Sequence, residues 1–352
     1  MIFSQISLEI TNSCNFKCDY CPSKNISRAR CSMPLSLVKA IVDEIAQLRL
    51  LGKNGYIAPF LLGEPLLHPQ YAEIFAYIKS KGIKLFLNTN GSLLSKENID
   101  FLYAIGTDRI TVNLSKSRNE FQARKAPVSF EAYLDNIGEL IYRHIKSKPA
   151  TKLHIDVMFR KDELINIFDG MGSLEALISK LFGKDKFEVF INEARKELAG
   201  KWLVRIPGFA FKKEISPGVS FVFCAEHGWG NTVNCQKHPI KKALFGSCNA
   251  LRDNGQIAIL ACGTYTLCCG DYDGKARLPY NYADCHFSAL LKKKEVADIA
   301  FKFKTCRLPF EFCRYCRGGA GRTKALFNQI NSCLYYNLPN YRALRNLLIR
   351  KI

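Results

Sequence analysis

The chain has 352 residues, 48% hydrophobic and 23% charged, with 51 Lys and Arg against 31 Asp and Glu for a formal net charge of +20. That is the make-up of a globular chain long enough for one large domain and a smaller one. No apolar run reaches the roughly 18 residues of a membrane helix, and no basic stretch precedes a long apolar one near the N-terminus. Neither a membrane helix nor a signal peptide is therefore expected, and the cytoplasm is the expected compartment.

The lysines are spread along the chain, and Lys292, Lys293 and Lys294 form the one compact run. This reads as a diffuse solvated surface rather than the footprint of a nucleic acid. No internal repeat or low-complexity segment is present.

Taken in chain order, Ile6 to Ile10 reads as a first strand. A helix follows, with Val38, Ile41, Val42, Ile45 and Leu48 at helical spacing and Pro34 near its start. Tyr56 to Leu62 is a second strand. Tyr71, Ile74, Phe75 and Ile78 mark the next helix face, which Gly82 is placed to end. Ile83 to Leu87 is a third strand, and Ile99, Leu102 and Tyr103 suggest a helix. Arg109 to Leu114 is a fourth strand, before a helix through Tyr133, Leu134, Ile137, Leu140 and Ile141. Leu153 to Phe159 and Phe187 to Ile191 are expected as strands five and six, with Leu174 to Leu181 helical between them.

Six βα-type units imply a parallel sheet, because each return to a parallel partner needs a crossover. Six falls short of the eight of a closed barrel, so an open, partial (β/α)6 TIM-like barrel over residues 1–195 is expected. Chemistry in such folds sits on loops after the C-terminal ends of strands. Residues 196–245 read as an irregular connection, 246–320 as a second cysteine-rich domain and 321–352 as a helical tail. In that tail Leu344, Leu347 and Leu348 lie on one face of a basic amphipathic helix starting near Tyr341.

Fifteen cysteines are many for a chain expected in a reducing compartment, where tight clusters more often ligate metals than form disulfides. Three of them, Cys14, Cys18 and Cys21 in "CNFKCDYC", fall in the loop after strand one. A structural zinc site or a ferredoxin cluster uses four protein ligands. C-x3-C-x2-C supplies three, with no histidine in the loop to complete the set. Three thiolates on a four-iron cluster leave one iron open to an external ligand.

"CNFKCDYC" resembles the signature of radical S-adenosylmethionine enzymes. The resemblance implies a [4Fe-4S] cluster with one open iron that S-adenosylmethionine chelates, and reductive cleavage of that cofactor to a 5′-deoxyadenosyl radical. It places Tyr20 near the adenine. "FLLGEPLLHP" after strand two stands where the family has Gly-Gly-Glu-Pro. There Glu64 would pair with the cofactor ammonium and Gly63 would let backbone approach closely, although Leu62 replaces the first glycine. Alone, Glu64 before Pro65 could be a helix-entry residue. "NTNGSLL" resembles the Thr-Asn-Gly turn, with Thr89 and Asn90 toward the cofactor; alone it is a turn signal. Ser115 matches a ribose-contacting position, and Arg124 an arginine that holds the cofactor carboxylate.

The segment from "SCNALRDNGQIAILACGTYTLCCGDYDG" to "FCRYCRGG" resembles the SPASM extension or its shorter twitch form. Cys248, Gly263 and Cys268 fit its half-motif, and a hairpin through Gln256 to Leu267 would bring Cys248 and Cys268 together. With the C-x2-C pair Cys313 and Cys316 they imply an auxiliary [4Fe-4S] cluster. Zinc bound by the same two pairs is the alternative, and Cys269 could replace Cys268. Only Cys333 follows Cys316, which favours the one-cluster form; Cys262, Cys285, Cys306 and Cys333 leave a second cluster open. Cys224 and Cys235 have no assignment.

The resemblance implies a radical SAM oxidoreductase supplied by an electron donor such as flavodoxin or ferredoxin. The chain starts directly on strand one, so a small sugar-like or anionic metabolite, dehydrogenated or epimerised, is expected. A peptide or protein substrate, crosslinked, epimerised or converted to formylglycine, is the alternative. A cysteine-rich zinc protein that binds nucleic acid is the rival from another class.

Overall fold

The computed structural model describes residues 1–159, 168–199, 210–225, 240–338 and 340–341. The elements begin with β1 (Phe3–Leu8), α1 (Leu35–Gln47), β2 (Leu51–Ala58), α2 (Tyr71–Ser80), β3 (Lys84–Thr89), α3 (Lys96–Ala104) and β4 (Arg109–Leu114). They continue with α4 (Arg118–Ala123), α5 (Phe130–Ser147), β5 (Lys152–Phe159), α6 (Gly172–Phe182), α7 (Lys184–Ala199), β6 (Ala210–Ser216) and β7 (Val219–Ala225). The remainder comprises β8 (Ile240–Lys241), β9 (Gly255–Ile259), β10 (Thr264–Thr266), β11 (Arg277–Asn281), α8 (Phe287–Leu290), α9 (Lys294–Lys304), α10 (Glu311–Cys316), β12 (Gly319–Ala320) and α11 (Arg322–Asn337).

The described residues fall into two compact units, one formed by 1–14, 20–85 and 240–341, the other by 15–19 and 86–225. In the first, the strand order is β11-β10-β9-β1-β2, with Lys84 and Leu85 of β3 beside Tyr56 and Ile57 of β2. β1 runs parallel to both β2 and β9, and β10 antiparallel to β9 and β11. Phe3, Ile6, Ser7 and Leu8 of β1 are buried in a strand that has parallel partners on both edges. Val38, Ile41, Val42 and Ile45 of α1 and Ile74, Phe75 and Ile78 of α2 are buried at the expected helical spacing.

In the second unit the order is β3-β4-β5-β7-β6, parallel except for β6. β5 alternates: Leu153, Ile155, Val157 and Phe159 are buried, whereas His154, Asp156 and Met158 on the opposite face are half-buried. Ser95, Ser117 and Ser129 cap α3, α4 and α5 by accepting from backbone N–H groups three residues on. The fold is thus mixed α/β with parallel strands, as expected. Among the described residues no helix is long and apolar enough to cross a membrane.

Two expectations need correction. Phe187 to Ile191 is not the sixth strand but part of α7: Phe190, Ile191 and Ala194 are buried while Val189 is exposed, a helical stripe among lysines and glutamates. The sixth parallel strand is β7, which pairs with β5 from Leu153↔Val219 to Phe159↔Ala225. It falls inside the stretch expected to be irregular. β6 and β7 form a hairpin around Pro217 and Gly218, and Phe221 and Phe223 alternate inward. A Pro-Gly pair between two alternating runs was the available signal. The expected hairpin through Gln256 to Leu267 is present, but β9 also joins β1, a long-range pairing that no local pattern announces. Cys235, Leu344, Leu347 and Leu348 lie outside the described residues.

Candidate functional site

Of the loop after β1, residues 9–14 and 20–34 belong to the first unit and 15–19 to the second. In the first, Asn12 Nδ2 donates to the Ala29 carbonyl at 2.8 Å and Asn12 Oδ1 accepts from Cys31 N–H at 2.9 Å. Glu64 N–H donates to the Ser13 carbonyl at 2.8 Å, tying the segment after β2 to the residue before Cys14. Gly63 is required there. Its φ is +86°, and a Cβ would sit 2.6 Å from the Thr11 carbonyl oxygen and 2.8 Å from that of Ser13. Leu62, in place of the family's first glycine, is buried with Leu61, Ala258, Leu260 and Tyr272, and Cys21 and Cys269 pack on that cluster. Glu64 is 2% exposed and accepts from Leu66 N–H at 3.3 Å, so it does act as a helix-entry residue for the short turn Pro65–Leu67.

In the second unit, Asn90 Nδ2 donates to Asn15 Oδ1 at 2.8 Å, and Asn15 Nδ2 donates to Ser92 Oγ at 2.9 Å. Phe16 packs edge-on against Phe121, and Lys17 N–H donates to the Arg124 carbonyl at 2.8 Å. Buried Arg124 pairs with Glu120 and donates to the Asn113 carbonyl at 3.3 Å. Asn90 and Arg124, expected as cofactor contacts, thus also fasten residues 15–17. Ser115 is fully buried, yet its Oγ has no hydrogen-bond partner among the described residues. An orphaned hydroxyl of that kind suits a bound polar ligand. Cys14, Cys18, Tyr20 and Cys21 are half-buried.

The first unit also gathers a four-thiol site. Cys248, Cys268, Cys313 and Cys316 line one cavity with Ala250, Leu267, Phe303, Leu308, Phe312 and Arg317. Cys313 and Cys316 project from the same turn of α10 because they are three residues apart. The β9–β10 hairpin delivers Cys268, and Asp271 braces the turn behind it by accepting from Lys275 and Ala276 N–H at 2.8 Å each. Burial pushes the Cys268 and Cys313 thiols up, reinforced by Cys269, Cys248 and Cys316 for the first and by Cys248 and Cys316 for the second. Cys268, not Cys269, lines the cavity; the Cys269 thiol instead faces Gln256. Among the described residues no three His, Cys, Asp or Glu side chains converge to hold a single metal ion. A donor set of four sulfurs in an apolar wall fits an iron–sulfur cluster. Exposed Cys262, buried Cys285 and the neighbouring pair Cys306 and Cys333 do not line this cavity.

A further polar surface escaped the reading of the sequence. Asn88, Asn113, His154 and Asp156 occupy one face of the second unit's sheet, with Asn113 Nδ2 donating to Asn88 Oδ1 at 3.0 Å. Burial raises the Asp156 carboxyl from 3.8 to about 7 against the opposing pull of Arg109, and lowers His154 to about 4. Burial beside Asp156 pushes the Cys224 thiol up to about 12. The folded chain therefore holds the Asp156 proton that the unfolded chain releases above pH 3.8, and the stability it contributes is lost as pH rises through about 7. The advantage of Asp156→Asn over the parent chain in denaturant unfolding is expected to grow by roughly 4 kcal/mol from pH 4 to 8. A pH-independent difference would show that Asp156 is solvated.

Residues 8–166, under half of the chain, match the Radical SAM superfamily. The AdoMet-dependent heme synthase of Methanosarcina barkeri is 32% identical over 141 residues, 38% of this chain and 38% of that protein. The chain thus matches less than half the length of this curated relative. Native anSMEcpe with bound AdoMet superposes with a TM-score of 0.55 at 15% identity, covering 98% of this chain and 99% of that one. SuiB of Streptococcus suis bound to precursor peptide SuiA gives 0.54 at 14%, covering 93% and 73%. These two likenesses show the fold.

Proposed function

We propose that this chain is a radical SAM oxidoreductase that removes a hydrogen atom from a small polar substrate and oxidises or epimerises it. The reading rests on one contrast: a C-x3-C-x2-C motif that offers three cysteines within eight residues, and a separate set of four thiols that line one cavity. Cys14, Cys18 and Cys21 would hold a [4Fe-4S] cluster with one open iron, and Cys248, Cys268, Cys313 and Cys316 an auxiliary [4Fe-4S] cluster. When bound, the first cluster and S-adenosylmethionine supply a 5′-deoxyadenosyl radical.

The chain's own residues position these groups. Glu64 offers a buried carboxylate to the cofactor's ammonium, Gly63 keeps its backbone close, and Ser115 gives its orphaned hydroxyl to the ribose. Asn90 and Arg124 act at least through the cysteine loop, which they fasten. Tyr20 covers the adenine. The radical SAM core is an open (β/α)6 barrel extended to about residue 225 to include β7, followed by a twitch-type domain near 246–320. A flavodoxin or ferredoxin delivers the electron, and the compartment is the cytoplasm.

Anaerobic reconstitution with iron and sulfide tests this. About eight irons per chain are expected, as two four-iron clusters require. The protein is expected to be brown and to form 5′-deoxyadenosine from S-adenosylmethionine on reduction. A colourless zinc protein that leaves the cofactor intact would overturn the reading.

A further inference from the structure

Arg317 follows the last cysteine of the four-thiol site and lines its cavity. Arg317 is half-buried, and its guanidinium lies near enough to Cys316 and Cys248 to interact with the charge of either thiolate. It lies 5.2 Å from the centre of the Tyr336 ring and shares a hydrogen bond with that side chain. Its charge also bears on Cys313 and Cys333. Among the described residues no carboxylate forms an ion pair with it, whereas the nearby Lys242 pairs with Glu311.

A guanidinium cannot discharge, and taking it partly out of water without an anion is unfavourable. The groups facing it are sulfurs and a phenol, none of them an obligate anion. A cavity lined by a permanent cation and four sulfurs is therefore built for a moment when those sulfurs carry negative charge together. Four thiolates around iron supply that charge, and one electron added to the cluster increases it.

We propose that Arg317 is the counter-charge of the four-cysteine site, a positioning residue that favours thiolate ligation and raises the reduction potential of the bound cluster. The inference rests on the cluster reading of that site. Its physical content is that the positive charge favours the more negative, reduced form. The hydrogen bond and ring contact of Tyr336 fix where that charge sits.

The test uses the reconstituted full chain in the Cys18→Ala background, so that only the auxiliary cluster is observed. Its midpoint potential is measured by EPR-monitored titration, and its iron content separately. Arg317→Gln is expected to keep its iron and shift the oxidised-to-reduced ratio at fixed potential at least tenfold toward oxidised, about 59 mV for one electron. Arg317→Lys is expected to remain within threefold of the parent. If Arg317→Gln fails to take up iron and Arg317→Lys restores it, charge is again the cause. Unchanged potential in Arg317→Gln, or equal loss of iron in both variants, overturns the counter-charge role. Full iron retained in Cys248→Ala and Cys313→Ala instead overturns the cluster reading itself, a separate outcome.

Discussion

Replacing Cys18 by alanine is expected to abolish 5′-deoxyadenosine formation and lower the iron content from about eight to about four per chain, because one whole cluster is lost. Three thiolates are the minimum that holds four irons while leaving one open; Cys31, the other cysteine of the loop, lies ten residues beyond Cys21 with its N–H on Asn12 Oδ1. Asn15, Phe16 and Lys17 anchor the stretch just before Cys18 without using its thiol, so the alanine variant should fold. Circular dichroism and an unchanged Tm check this. Cys313→Ala is expected to lose a similar amount of iron yet still cleave the cofactor, with product formation impaired. Cleavage by the Cys18 variant at more than about a tenth of the parent rate would remove the cluster assignment in that loop.

Glu9→Ala is expected to destabilise the first unit by about 3–5 kcal/mol, the usual cost of breaking a buried ion pair from one side. The Glu9 side chain is fully buried, and both of its oxygens accept from Arg28 at 2.8 Å. One of them also accepts from Ala261 N–H at 2.9 Å, while Arg28 donates to the Tyr272 carbonyl at 2.7 and 2.9 Å. This network fastens the segment that follows the three cysteines to the hairpin that carries Cys268. Removing the acid leaves the half-buried Arg28 with only the Tyr272 carbonyl and the more distant Asp273 to offset its charge. Thermal unfolding should show a Tm lower by roughly 10 °C. Glu9→Leu combined with Arg28→Met should recover most of the loss, because an apolar pair of similar size carries no desolvation cost. A single-variant loss below about 1 kcal/mol would mean that the pair is hydrated.

Much of the chemistry was legible in the linear chain because it is local. The spacing of Cys14, Cys18 and Cys21 states its own deficit of one ligand, and C-x2-C at Cys313 and Cys316 states a shared helical face. The hairpin signal around Gly263 matches the β9–β10 hairpin, and Cys248, Cys268, Cys313 and Cys316 line one cavity. Glu64 illustrates a position where both readings describe one residue: it caps a turn and is buried where the family places a carboxylate.

What the amino-acid order determined by itself was periodicity and spacing, since both are carried by neighbours along the backbone. Helical faces, parallel strands and two separate thiol sets follow from them. Tertiary structure alone decided which segments became partners. It made Phe187 to Ile191 helix and gave the sixth parallel position to β7, because an apolar run of five suits either state until a neighbouring strand claims its backbone. It set β9 beside β1, turned Asn90 and Arg124 into anchors for the cysteine loop, and placed Arg317 near sulfurs. Each of these depends on contacts between residues far apart in the chain, where burial and charge act through space.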